Sequence, residues 1–127
     1  MAVTHETTLR NEIADLVVDK LDAGTTDANG DLAFLASNDA AVATLGLSAP
    51  AFGDAASGVA TANAISDDTN AAGGTIAKAE LRDRDNTARV FASVGATGSG
   101  EDIELSSVDV AAGDKVTMNS LTYTACP

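Results

Sequence analysis

The apolar residues of this chain change their spacing once, at Gly24, and that change limits the folds the chain can adopt. Before Gly24 they recur every three or four positions, as on one face of an α-helix. After Gly24 they come in short runs with a spacing near two, as in strands of a half-buried sheet. The pattern predicts an α+β, mainly β protein in which one N-terminal helix packs on an antiparallel β-sandwich.

The predicted helix covers residues 4–23. Its apolar stripe is the expected contact with the sheet and consists of Leu9, Ile13, Leu16, Val17 and Leu21. The candidate N-caps are Thr4, Thr7 and Thr8. Glu6 suits the positive end of the helix dipole, and Gly24 is the expected C-terminal stop.

Seven short runs within residues 31–125 are the candidate strands of the sandwich, each bounded by Gly, Asn, Asp, Ser or Pro. They cover residues 32–37, 42–48, 58–65, 75–82, 88–94, 102–110 and 115–124. Their regular spacing is typical of all-β sandwiches and barrels. In the last run the apolar positions change parity at Asn119-Ser120, which favours a β-bulge over a strand buried on both faces.

Large apolar side chains are scarce, with no Trp, one Tyr and three Phe among 127 residues. Each buried Val, Leu, Ile or Phe contributes only about 1.5–3 kcal/mol. The chain is therefore expected to form a single domain, residues 1–127, with a thin core. A core of this kind is often completed by a further subunit, so we expect a homo-oligomer.

The charge of the chain limits its partners. It carries 19 Asp and Glu against 7 Lys and Arg, a formal charge of -12. A nucleic-acid backbone and an anionic membrane would both repel such a protein, so neither is an expected partner. The absence of a long apolar run predicts no transmembrane helix. The first residues lack a basic start followed by an apolar stretch, which predicts no secretory signal.

Few residues of the kind that enzymes use are present. A single cysteine, Cys126, can form neither an internal disulfide nor a thiolate metal cage. A single histidine, His5, excludes sites that need two imidazoles. Ser106 and Ser107 have no partner base for a triad. The sequence therefore predicts a non-enzymatic protein with no catalytic residue, cofactor or metal.

The acidic residues form several clusters. Residues 27–31 have the pattern D-x-N-x-D that begins a calcium loop, but Leu32 and Asn38 stand where Gly and Glu are required. A polar turn with Asn29-Gly30 at its tip is the preferred interpretation. The other clusters are Asp67-Asp68, Asp83 with Asp85, and Glu101-Asp102 with Glu104. Such carboxylates could hydrolyse glycosides only in a suitable sugar cleft, so a solvated acidic surface is favoured.

Arg82, Arg84 and Arg89 form one cationic cluster, which holds three of the seven basic residues. Two interpretations remain open. The arginines could contact an acidic partner, or they could pair with Asp83 and Asp85 across a hairpin, where surface ion pairs are worth little.

Three groups of residues carry a family resemblance. They are residues 4–15 with 17–19 and 21–24, residues 48–53 with 58–65, and residues 102–108 with 121–124. In order and spacing, this set resembles a family of small structural proteins of tailed bacteriophages and prophages, encoded among head and tail genes. None of the stretches is a catalytic signature.

The resemblance implies a capsid decoration, or cement, protein that binds and stabilises the major capsid protein lattice. Such a protein would be made in the host cytoplasm and would sit on the capsid exterior, with a trimer as the favoured oligomer. The resemblance transfers no active-site residues. Two alternatives remain open: a minor tail or fibre-associated structural protein, and a carbohydrate-binding β module on the particle exterior.

Overall fold

A computed structural model describes residues 3–125 of the chain. Within that range, one helix, α1 (Thr7–Asp19), runs into a 3₁₀ turn over Lys20–Asp22 and is followed by nine strands. The strands are β1 (Asp31–Leu35), β2 (Ala41–Gly46), β3 (Val59–Thr61), β4 (Gly74–Thr75), β5 (Lys78–Arg82), β6 (Ala88–Ala96), β7 (Ile103–Leu105), β8 (Asp109–Val110) and β9 (Thr122–Thr124). Each of the seven predicted runs overlaps at least one of these strands.

The main sheet has five strands in the order β2-β1-β5-β6-β7, and two separate two-stranded ladders pair β3 with β9 and β4 with β8. The predicted α+β, mainly β class is therefore confirmed. The sandwich is not confirmed, because the described strands form one sheet and two short ladders. The strands are also not all antiparallel, since β6 and β7 pair in parallel.

The parallel pair is joined by only residues 97–102, whereas parallel strands usually need a crossover of a dozen residues or more. The Glu104 carboxylate accepts hydrogen bonds from the Gly98 and Gly100 amides, at 3.0 and 2.9 Å. Ser93 and Asp102 each accept the other's amide hydrogen through their side chains, at 3.1 Å. These side-chain bonds hold the tight loop that returns the chain to the same sheet edge.

The register of the sheet separates a core face from an outer face. Leu32 lies opposite Leu45 on one side and Leu81 on the other, and Leu81 lies opposite Val90. These residues share one face, because directly paired residues point to the same side of a sheet. That face forms the core together with the buried side of α1, which contacts β3 and β9.

The side of α1 that is buried differs from the predicted apolar stripe. Leu21 is buried as expected, Ile13 packs partly buried against the core, and Val17 is half-buried. Leu9 and Leu16, however, are 39% and 61% exposed, so their assignment to the core was wrong.

The side of α1 that faces the core is a mixture of polar and apolar residues. Ala14 and Val18 are its buried apolar members. Asn11 and Asp15 accept hydrogen bonds from the Gly58 and Ala55 amides, both at 2.7 Å. The helix is thus oriented by carboxylate and amide oxygens that bind loop amides, a role the apolar pattern does not reveal.

The N-terminal end of the helix differs from the prediction, whereas the C-terminal end agrees with it. The helix begins at Thr7, and its N-cap is Glu6, whose carboxylate accepts the amide hydrogens of Thr8 and Leu9 at 2.9 and 2.6 Å. A threonine N-cap was therefore wrong. Gly24 follows the 3₁₀ turn at φ 116°, which agrees with its predicted role as a stop.

The last predicted strand, residues 115–124, is not continuous. Val116 forms an isolated bridge with Asp68, whereas β9 pairs with β3. The change of parity at Asn119-Ser120 therefore separates two different pairings, and the predicted bulge is wrong. Register shifts do occur in the main sheet, between Phe34 and Leu35 and between Leu81 and Arg82.

Candidate functional site

The three arginines of the cationic cluster lie along β5, β6 and the hairpin between them. Arg89 donates through Nε to Asp83 Oδ2 at 2.8 Å. Arg82 pairs with Glu80, with Nη2 2.9 Å from Oε2. Arg84 donates through Nε to the carbonyl of Asp27 at 2.8 Å. Each arginine thus binds an acceptor of its own chain, as the local-pairing interpretation requires, although only Arg89 pairs with one of the two expected aspartates.

Asp83 organises the β5–β6 hairpin from a buried position, with 2% of the residue exposed. Its Oδ1 accepts the amide hydrogens of Asp85 and Thr87, at 2.9 and 3.0 Å. The hydrogen bond from Arg89, followed by that from the Thr87 amide, lowers the pKa of Asp83 below its usual 3.8. The carboxylate is fixed by the fold and is not available for a ligand.

Asp85 joins the same hairpin to the loop that follows the helix. Its Oδ1 accepts the amides of Thr25 and Thr26 at 2.9 and 3.0 Å, and these bonds lower its pKa. A Cβ at Gly24 would lie 2.8 Å from the Asp85 backbone nitrogen, so glycine is required there. Asp83 and Asp85, which form an acidic cluster in the sequence, therefore hold the hairpin together and join it to the loop after the helix. We call the bonds from Asp85 to Thr25 and Thr26 the Asp85 clasp.

The D-x-N-x-D segment, residues 27–31, lies beside this clasp. Gly30 is buried against the carbonyls of Leu21 and Arg82, so Asn29-Gly30 is not an exposed turn tip. Burial and the neighbouring Asp27 raise the pKa of Asp31. Within residues 3–125, no group of three His, Cys, Asp or Glu side chains is arranged to hold a metal ion.

Three carboxylates with lowered pKa values predict that the folded protein loses stability in acid. Asp83, Asp85 and Glu104 all have folded pKa values below their usual ones. Their stabilisation is complete above the unfolded pKa and is lost as the pH falls from about 5 through the folded pKa. We expect Asp83→Asn to lower the Tm at pH 7 and to flatten the dependence of Tm on pH below 5.

Calorimetry from pH 7 to pH 3 measures this effect, with Glu12→Gln, at an exposed helix position, as the control. Asp31 works in the opposite direction, because a carboxyl whose pKa is raised by burial becomes less costly to bury when it is protonated. The comparison of Asp83→Asn with wild type isolates the Asp83 contribution. If the Tm of Asp83→Asn fell with pH below 5 as steeply as the Tm of wild type, the predicted contribution of Asp83 would be contradicted.

An apolar groove of about 240 Å³ lies between the core face of the main sheet and β9. Leu32, Leu81 and Val90 line it from the sheet, and Leu121 and Tyr123 line it from the other side. Asp102 and Ile103 also border it. The groove is a continuation of the thin core toward the surface.

Phe91 lies in the strand that borders this groove, but its side chain lies on the opposite, outer face of β6. It is 70% exposed, and its neighbours in β6, Val90 and Ala92, face the core. The alternation of Arg89, Phe91 and Ser93 in the sequence could have identified it as an outward-facing aromatic residue, but it was not singled out. Of the other aromatic residues, Phe34 and Phe52 are buried and Tyr123 lines the groove.

A second, more open groove of about 580 Å³ is lined mainly by residues 104–120. Ser106 and Ser107 both border it, together with Asp109, Asp114 and Lys115. The Ser107 hydroxyl donates to the Asp109 carbonyl at 3.3 Å, and Lys115 pairs with Asp67 at 3.2 Å. Its lining contains no aromatic side chain, whereas sugar-binding faces usually offer one for stacking.

The chain matches no protein-family model, no curated protein and no solved structure. The resemblance to phage structural proteins therefore remains a sequence-based expectation. In residues 3–125, no helix has the length and apolar character needed to cross a bilayer.

Proposed function

We propose that the protein is a non-enzymatic virion structural protein of a tailed bacteriophage, a decoration protein that binds and stabilises the major capsid protein lattice. The sequence resemblance supplies the virion context. The observation that carries the proposal is the exposed Phe91 side chain on the outer face of β6, with an apolar groove on the other face of the same strand, in a protein that is otherwise strongly acidic. An exposed aromatic residue and an apolar recess on one strand have the composition of an interface centre.

The charge of the protein favours a contact of this kind. A protein of charge -12 gains no long-range attraction toward an acidic capsid exterior. Binding must then come from apolar burial and hydrogen bonds at short range. The arginine cluster contributes less than expected, because its three side chains already bind acceptors within the chain.

The proposed oligomer on the capsid is a trimer. The core cluster contains many alanines, and large buried side chains such as Phe34 are few, so association would add apolar burial that the single chain lacks. The symmetry of the density in a reconstruction of the particle tests this part of the proposal.

Occupancy on purified particles tests the proposed function. We expect wild-type protein to stay bound as NaCl is raised, because salt screens charges that lie more than a Debye length of about 8–10 Å apart and therefore reduces a net repulsion. Phe91→Ser should raise the apparent Kd about tenfold or more, as for a central interface residue. Leu16→Ser, which removes another exposed apolar side chain, is the matched control and should bind as wild type does.

Cryo-microscopy of the same particles distinguishes the alternatives. Density for the protein on the head supports decoration, whereas density only at the tail or fibre would replace the proposal with the tail alternative. Release of the protein by moderate salt, with no effect of Phe91→Ser, would place an electrostatic interface elsewhere on the surface. Absence of the protein from particles would reject the virion role.

A further inference from the structure

The outer edge of β6 is only partly paired with another strand. β5 pairs with β6 on one side from Ala88 to Ser93. On the other side, β7 pairs only with Val94–Ala96. In the described part of the chain no strand pairs with this outer edge between Ala88 and Ala92. The opposite end of the sheet differs, because residues 66–73 cover the edge of β2 through bonds such as Thr44 N–H to Asp68 Oδ2 at 2.9 Å.

The direction of the main-chain groups follows from their neighbours. The Val94 amide donates to the Ala77 carbonyl at 3.2 Å, toward β5. The Ser93 amide donates to Asp102 Oδ2 at 3.1 Å, away from β5. Because successive residues of a strand direct their amides to opposite sides, the N–H and C=O of Phe91 point to the open edge.

The open edge borders the apolar groove. Leu81 and Val90 line the groove on the sheet side, Tyr123 on the far side, and Asp102 borders it near the start of β7. Its volume of about 240 Å³ is below the roughly 300–1,000 Å³ typical of small-molecule sites. The groove fits one or two apolar side chains of a strand that lies along β6.

We propose that the outer edge of β6 accepts an extended strand from a partner polypeptide, in line with β7. Main-chain hydrogen bonds to Phe91 would hold the strand, and alternate side chains would enter the groove beside Val90 and Ala92. The intervening side chain would pack against the exposed Phe91 ring. The strand edge is a property of the fold and is independent of a role in a virion.

The charge of the chain identifies the kind of strand. At this edge a second copy would bring a further charge of -12 beside Asp102, and like charges oppose such an encounter, so the proposed trimer would associate through a different surface. Asp102 adds a carboxylate beside the groove. The occupant is therefore a neutral or basic segment with apolar residues at alternate positions, donated by a different chain.

The experiment selects binders from a phage-displayed library of random nine-residue peptides, using the whole protein as the target. We expect enriched peptides to alternate apolar residues, to lack acidic residues and to lack proline at the centre. The best peptide is then synthesised with ordinary and with N-methylated central amides. Methylation removes the main-chain donors and should weaken binding about tenfold, the value of one or two hydrogen bonds.

Two variants locate the contact on the protein. Phe91→Pro removes the outward N–H at a position where an edge strand tolerates proline, and Phe91→Ala removes the side chain but keeps the N–H. Binding to Phe91→Pro should be about tenfold weaker than binding to Phe91→Ala. Amide hydrogen exchange of wild type provides a second measurement, in which the peptide should slow exchange at Phe91. The N-methylated peptide tests the proposal on wild type even if Phe91→Pro does not fold.

Several results would overturn the proposal. Failure to enrich any peptide would show that the edge does not accept a strand. Equal binding of methylated and ordinary peptides, or protection that excludes Phe91, would move the contact elsewhere. A concentration-dependent dimer of wild type that Phe91→Pro abolishes would identify a second copy as the occupant in place of a different chain.

Discussion

Val18→Asp is expected to abolish cooperative folding. Val18 is 2% exposed and lies in the core cluster with Ala14 and Leu21. An unpaired carboxylate there has no hydrogen-bonding partner to replace water, and its burial costs several kcal/mol. Because a domain of this kind has a total stability of only about 5–15 kcal/mol, a loss of this size removes most of it.

Leu16→Asp is the matched control, since it introduces the same side chain on the same helix at a residue that is 61% exposed. Exposed substitutions of this kind change the free energy of unfolding by about 0.5 kcal/mol or less. Urea denaturation followed by far-UV circular dichroism measures both variants. If the two variants unfolded at the same urea concentration, the buried side of α1 would not be the one described above.

The contrast between these two residues shows where apolar periodicity fails. The pattern placed Leu16 inside because it follows Leu9 and Ile13 at helical spacing. In the structure, Asn11 and Asp15 take inward positions because their side chains bind the Gly58 and Ala55 amides. Those bonds depend on a loop some 40 residues away in the chain. Local spacing cannot predict them.

The positions of the strands were predicted better than the way in which the strands pair. Residues 32–37 and 88–94 contain most of β1 and most of β6, because alternation and flanking turn residues are local properties of the sequence. The parallel pairing of β6 with β7 depends on Glu104 binding the Gly98 and Gly100 amides. The sequence showed these residues only as an acidic cluster and a glycine-rich loop, so neither the pairing nor the open edge could be derived from it.

The sequence analysis did not single out Phe91. It left two interpretations of the arginines open, a contact with an acidic partner and local pairing, and in the structure each arginine binds an acceptor within its own chain. Phe91 is a single aromatic residue in an alternating strand, and such a residue more often faces a core. Its alternation with Arg89 and Ser93 indicates the outer face, and the register places all three residues there.

Gly30→Ala is expected to destabilise the protein by about 3 kcal/mol, at the upper end of the usual cost of overpacking. Gly30 lies where the chain enters β1, between the end of the helix and the β5–β6 hairpin. A Cβ at this position would overlap the Arg82 carbonyl oxygen and lie 2.8 Å from the Leu21 carbonyl oxygen. Both contacts are with backbone, so neither can be relieved by a change of rotamer.

Gly53→Ala is the matched control for this substitution. Its added Cβ would meet no atom closer than the Thr61 carbonyl oxygen at 3.8 Å, which is an ordinary van der Waals contact. Neither Gly30 nor Gly53 has a positive φ, so the two substitutions differ mainly in the space available. Thermal unfolding should therefore show a large fall in Tm for Gly30→Ala and little change for Gly53→Ala. A Gly30→Ala variant as stable as wild type would show that the hairpin can move away from the helix end, and that the Asp85 clasp does not fix their separation.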